Sequence, residues 1–146
     1  MVRSDVLGKR LDLLLDVLAD LRRYRESVTR ERLAAERDTQ HMVLHAMYVA
    51  AQAVIDIALH ALADADRPPG ATYRDAFREL ASAGLLDAGL ANRLEGWAGL
   101  RNVLAHHYAS VDYGLLHDAL VGDLGDLEAF AAAAGAWIDG DTTSSE

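Results

Sequence analysis

Apolar residues recur at helical spacing from the start of the chain. Val6, Leu7, Leu11, Leu14, Leu15, Leu18 and Leu21 lie three or four positions apart, with charged residues between them. That period predicts an amphipathic helix from about Val2 to Arg23. After a polar junction, RRYRESVTRER, a second and longer stripe begins, and it predicts one helix from near Thr29 to about Ala65. Leu33, Leu44, Met47, Tyr48, Ala51, Val54, Ile55, Ala58, Leu59 and Leu62 carry it. DRPPGATY then stops it, because Pro68 and Pro69 cannot continue a helix and Gly70 permits a turn. Thr72, with Asp75 three residues on, predicts a capped third helix bearing Tyr73, Phe77 and Leu80, ended by the SAG at 82–84. A fourth helix starts near Asp87 and runs through Leu90, Leu94, Trp97 and Leu100. A fifth spans about Tyr113 to Ile138 through Leu116, Leu120, Leu124, Leu127, Phe130 and Trp137. Long amphipathic helices joined by short links predict an all-α antiparallel up-and-down bundle of four to five helices. One domain is expected over 1–138, with 139–146 as a disordered acidic tail.

Composition agrees with this picture. Of 146 residues, 51% are hydrophobic, and there are only two prolines and no cysteine. Disulfide and thiolate chemistry are therefore excluded. No apolar run approaches the roughly 20 residues of a membrane span, and the charged start does not resemble a signal peptide, so a cytoplasmic protein without membrane contact is expected. Net charge is −9, unevenly spread: nine of the fourteen Lys and Arg precede residue 38, whereas residues 112–146 hold eight acids and no Lys or Arg. The acidity argues against general nucleic-acid binding but leaves room for a local anion site.

The candidate chemistry is sparse. His41 and His45 share a helical face at a spacing that can ligate a metal, but no third ligand is evident, so no metal site is expected. Asp56 and His60, also four apart, read as a hydrogen-bonded pair orienting the bundle. No phosphate-binding glycine loop and no Ser/His/Asp order stands out. What remains is RNVLAHHY at 101–108. Arg101 and Tyr108 fall nearly on one line of a helix, but Arg101 and His106 are about 140° apart around its axis. They converge only if the helix ends or bends near His106, or if two chains each contribute a set. On its own the cluster is compatible with a polar helix end.

The spacing Arg101, four residues, His106, one residue, Tyr108 resembles the motif of HEPN-domain proteins, and in particular the HepT-type toxins of HepT/MntA toxin–antitoxin systems. AQAVIDIALHAL on the second helix, TYRDAFRELASAGLLD at 72–87 and RLEGWAGLRNVLAHHYASVD at 93–112 extend the resemblance over roughly residues 5–130. The resemblance implies a HEPN-like homodimer with two motif copies facing one cleft, acting as a metal-independent endoribonuclease with no cofactor. It implies Arg101 and His106 as the catalytic pair, Asn102 as an RNA-binding or supporting residue, and Tyr108 as the site at which an MntA-like nucleotidyltransferase antitoxin places AMP to silence the toxin. His107 fills a free position of the motif, and Tyr113 is a second tyrosine without motif support. The residue types suit the chemistry: an imidazole with pKa of about 6.5 exchanges protons at neutral pH, and a guanidinium grips phosphate oxygens. The rival expectation is a helical module that binds a nucleotidyltransferase or a nucleotide without cutting RNA.

Overall fold

In a computed structural model of the chain, the backbone is described for residues 2–144 and side chains for residues 5–140. Among the described residues there are seven α-helices and no strand: α1 (Val2–Ser27), α2 (Arg30–Ala35), α3 (Arg37–Asp64), α4 (Tyr73–Ser82), α5 (Ala88–His106), α6 (Tyr113–Gly122) and α7 (Leu124–Ser144). Four long helices form the bundle, α1 against α3, α3 against α5, α5 against α7 and α7 back against α1. Their facing stripes make one core, with Leu14, Leu18 and Leu21 from α1, Met47, Ile55 and Leu62 from α3, Leu94 from α5 and Phe130 from α7 all fully buried. Phe77 of α4 meets Phe130 edge-on with ring centroids 6.3 Å apart, and Phe130 meets Trp137 in the same way at 5.8 Å. The Trp137 indole donates to the Leu85 carbonyl at 3.1 Å, so this large ring is anchored at its polar end.

Two of the expected long helices are broken. The stretch expected as one helix from Thr29 to Ala65 divides at Glu36, which is extended at φ −101°, ψ 114°. Side chains stabilise the break. Glu36 accepts from Arg32 and Thr39, each at 2.9 Å, and the Gln40 amide donates back to the Ala34 carbonyl at 3.1 Å. These bonds replace helical ones the turn gives up. The stretch from Tyr113 to Ile138 divides at Asp123, just after Gly122. The first helix, in turn, runs past Arg23 to Ser27. A disordered tail was expected from 139; the backbone of α7 instead continues as helix to Ser144 although Asp, Gly, Thr and Ser are all poor helix formers, and residues 145–146 lie outside the described residues.

The caps read from sequence are present. Thr72 Oγ1 accepts from the Asp75 N–H while the Asp75 carboxylate accepts from the Thr72 N–H at 3.1 Å, a reciprocal capping box. Asp87 caps α5 through the Leu90 N–H at 3.0 Å. Gly70 turns the chain ahead of α4 with φ +83°, and a Cβ there would strike the Asp75 side chain, so glycine is required. Over one window α3 is long and apolar enough to cross a membrane, more so than the sequence reading allowed. It is the central helix of the core, with Val43, Met47, Val54 and Leu62 sealed from solvent.

Candidate active site

The buried stripe of α5 runs Leu90, Leu94, Trp97, Ala98, and resumes at Leu104. The next position of that stripe is 101, four after Trp97 and three before Leu104, and it holds an arginine. Arg101 therefore points between α5 and α3 at the rim of the core, where it is half-buried. Its Nε donates to Gln52 Oε1 at 2.7 Å. The Gln52 amide donates onward to Asp56 Oδ1 at 2.9 Å, and Asp56 Oδ2 lies 3.6 Å from Arg10 Nη1. Tyr73 and Tyr48 flank the guanidinium, with ring centroids 5.1 Å and 5.9 Å from its Cζ. Asn102 Oδ1 accepts from Arg101 Nη1 at 3.3 Å. Among the described residues every direct hydrogen-bond partner of Arg101 is neutral, so the fold orients its positive charge without cancelling it.

Helix α5 ends at His106. His107, at φ −136° and ψ 31°, is the C-cap, and a single 3₁₀ turn over Tyr108–Ser110 carries the chain toward α6. Of the two geometries that sequence spacing allowed within one chain, the helix end is the one found. His106 and His107 are exposed, as is Asn102, and Tyr108 is 67% exposed. Among the described residues no hydrogen bond joins Arg101 to His106, and five helical positions separate them by about 7.5 Å of rise. One chain thus displays the two side chains on one helix end without assembling them into a pair.

Several hollows follow the same face. Asn102, Tyr73, Leu59 and the Pro69–Thr72 turn line one of about 410 Å³. Tyr48, Leu104, His41, His45 and Tyr108 line another of about 260 Å³. The α3 residues involved, His41, His45, Tyr48, Gln52, Asp56 and Leu59, step three or four apart along one side of that helix. Asp56 is held by Gln52 and Arg10, and His60 is not its partner, which corrects the Asp56–His60 pairing expected from spacing. His41 and His45 are both exposed, and no group of three or more His, Asp or Glu able to hold a metal occurs among the described residues. Gln52, Tyr48 and Tyr73 were not picked out as site residues by the sequence; the available signal was a lone glutamine inside the apolar run AAQAVI.

Fold and site together define an all-α bundle whose α3–α5 face presents a half-buried guanidinium without a carboxylate partner among the described residues, with an exposed histidine farther along at the same helix end. The sequence profile of the ribonuclease HepT-like family matches residues 14–134, and the chain belongs to that family. No curated protein sequence matches the chain. Among solved structures, a toxin–antitoxin complex with AMP-PNP superposes with a TM-score of 0.81 at 21% identity, covering 90% of this chain and 98% of the other. The tri-AMPylated Shewanella oneidensis HEPN toxin, solved in complex with an MNT antitoxin, gives the same values. YutE, a cytosolic protein of unknown function from Bacillus subtilis, superposes at 0.81 with 14% identity over 94% of this chain and 91% of its own. These likenesses establish a HEPN-type helical fold.

Proposed function

We propose that the chain is the toxin of a toxin–antitoxin pair, a cytoplasmic, metal-independent endoribonuclease that works as a homodimer. The observation that carries this reading is Arg101: an arginine at a core-register position, held by Gln52 and two tyrosines and, among the described residues, matched by no carboxylate. Neutral partners hold such a charge in place without neutralising it, which leaves it available to a ligand. It suits an anion that arrives from outside, and a phosphate is among those that guanidinium geometry grips in bidentate fashion.

In the reaction, the ribose 2′-oxygen attacks the adjacent phosphorus and the bond to the 5′-oxygen breaks, leaving a 2′,3′-cyclic phosphate and a 5′-hydroxyl. One base must take the 2′-hydroxyl proton and one acid must protonate the leaving oxygen. Two copies of His106, one from each protomer, supply both roles, and two copies of Arg101 stabilise charge on the non-bridging oxygens. The pairing also overcomes the separation of Arg101 and His106 within one chain. Asn102, bonded to Arg101 and lining the hollow of about 410 Å³ on this face, supports the guanidinium and meets the RNA strand.

Silencing falls to Tyr108. Its phenol oxygen attacks the α-phosphorus of ATP in the active site of an MntA-like nucleotidyltransferase, pyrophosphate leaves, and the phenolic proton passes to a base of that enzyme. The product is a bulky anionic phosphodiester next to the catalytic helix end. The 67% exposure of Tyr108 supports this role, since an acceptor must enter another protein's site. The test is RNA cleavage by the purified chain. His106→Ala is expected to reduce it by roughly 10²-fold or more while leaving the circular dichroism melt unchanged. Undiminished cleavage by that variant overturns the assignment. The net charge of −9 favours a second reading, a docking module for a nucleotidyltransferase without RNA cleavage. Antitoxin binding by a chain that neither cleaves RNA nor arrests growth would establish it.

A further inference from the structure

Tyr108 stands between two shallow hollows that share His41 and Leu44 as a common wall. The hollow of about 260 Å³ adds His45 and Tyr48; the other, of about 360 Å³, adds Arg37, Gln40 and Tyr113. They adjoin through these residues as one open trough, and the larger of the two alone reaches the roughly 300–1,000 Å³ of small-molecule sites. Neither hollow is lined by an acidic residue, in a chain that is acidic overall. Arg37, His41 and His45 stand four apart, a single row of nitrogen donors on α3. None of these three side chains has a hydrogen bond or ion pair among the described residues. Two acids flank Arg37 in sequence: Glu36 is taken by Arg32 and Thr39, which hold its carboxyl below the usual carboxylate range, and Asp38 lines neither hollow.

We infer that this trough is a nucleotide-binding site, and that its ligand is the adenylyl group carried by Tyr108. The phosphodiester lies along Arg37 and His41, with His45 in reach on the other side of Tyr108, and the adenine rests on the apolar and aromatic wall of Leu44 and Tyr113. The inference rests on the reading of Tyr108 as the AMP acceptor, and it adds a dock to the attachment point. A tethered nucleotide that swings freely would shadow the site only part of the time. Docked on α3, it lies fixed on the strip of surface that leads through Tyr48 to Arg101.

The full chain, co-expressed with the nucleotidyltransferase of its pair and ATP, tests the dock. Intact mass gives the number of adenylyl groups on the wild type, on Arg37→Ala and on the double variant His41→Gln/His45→Gln. Two readouts follow: the rate at which an added phosphodiesterase removes AMP, and the phosphorus NMR shift of the ester. The expected result is equal modification, with release at least about five-fold faster in both variants and a resonance moved toward that of a free tyrosine–AMP ester. Equal release rates with coincident resonances overturn the dock while leaving Tyr108 as acceptor. A wild type that gains no adenylyl group on Tyr108 overturns the acceptor and the dock with it. A variant that folds but takes up no AMP is read with free AMP on unmodified protein: weaker binding than the wild type supports the dock, and equal binding rejects it.

Discussion

Arg93 and Arg101 lie about two turns apart on α5, and the fold treats them in opposite ways. Arg93 Nε donates to Asp126 Oδ1 at 2.9 Å, and Asp126, whose side chain is only 17% exposed, also accepts from the Trp97 indole at 3.4 Å. Arg78 is occupied likewise by Glu95 at 2.7 Å. Arg101 meets a glutamine, an asparagine and two tyrosine rings. An arginine already matched by a carboxylate has little left for an incoming anion. One oriented by neutral groups, and partly withdrawn from water, keeps its whole charge in surroundings that strengthen it. One end of α5 uses arginine to tie helices together, and the other end keeps it in reserve.

The largest effect should come from removing one arginine at a time. Arg101→Ala is expected to lower RNA cleavage by roughly 10²-fold or more, the scale of losing one donor to a developing phosphate charge, with little change in thermal midpoint. Arg93→Ala is expected to leave cleavage within about two-fold and to cost about 1 kcal/mol of stability, because Asp126 loses a charged partner. Parallel cleavage assays and denaturant melts decide it. If the two variants lose activity alike, the contrast between the ends of α5 has no functional meaning.

A finer test converts one kind of arginine into the other. Gln52→Glu keeps the shape of the side chain but sets a carboxylate against Arg101 Nε, so Arg101 comes to resemble Arg93. Asp56 loses the Gln52 amide but retains Arg10. Cleavage should fall by about ten-fold, and by more than in Gln52→Ala, where the guanidinium is less well held but still uncancelled. The reverse order would mean that orientation, rather than free charge, is what Gln52 provides.

The opposite conversion is smaller. Asp126→Asn retains an acceptor for the Trp97 indole and removes the charge facing Arg93. It should cost about 1 kcal/mol in urea denaturation and leave cleavage as it was. A drop in cleavage would show that the α5–α7 side is coupled to the Arg101 end.

Much of this was legible in the chain. The stripes at helical spacing placed the bundle, and Thr72, Asp75 and Asp87 marked their caps, because each is a local signal that packing did not override. The break at Asp123 was not legible, since the apolar stripe continues across it through Leu120, Leu124 and Leu127; at Glu36 the only local signal was the apolar-free run ERDTQH, which an exposed helical turn would show as well. What interrupts α2 from α3 is the joint bonding of Arg32, Thr39 and Gln40 around Glu36, and those partners are recognised only once the turn exists. Arg101 was visible as polar chemistry, and its meaning comes from its register on the buried stripe of α5. Gln52 sits forty-nine residues earlier on another helix, and nothing in local sequence ties it to Arg101. Spacing alone tied Asp56 to His60, whereas packing of α1 against α3 gave Asp56 to Arg10 instead.

The smallest expected effect concerns the acidic side on which Arg93 lies. Asp123, at the break between α6 and α7, has its pKa raised, chiefly by burial and then by the nearby charges of Asp126 and Asp118. A folded-state pKa above the unfolded value means the folded chain holds that proton more tightly. Stability contributed by the protonated form is therefore lost as pH rises through the carboxylate range, and the ionised group opposes folding at neutral pH. Asp123→Asn should raise the thermal midpoint slightly at pH 7, by an amount limited by solvent screening at this exposed position. The gain should shrink as pH falls and vanish near about pH 3, where the wild-type carboxyl is protonated as well. It should also shrink when Asp126→Asn is already present, because part of the repulsion comes from that neighbour. A lower midpoint for Asp123→Asn at pH 7 would mean that this end of the bundle needs all its carboxylates to balance Arg93, and that its acids are matched rather than crowded.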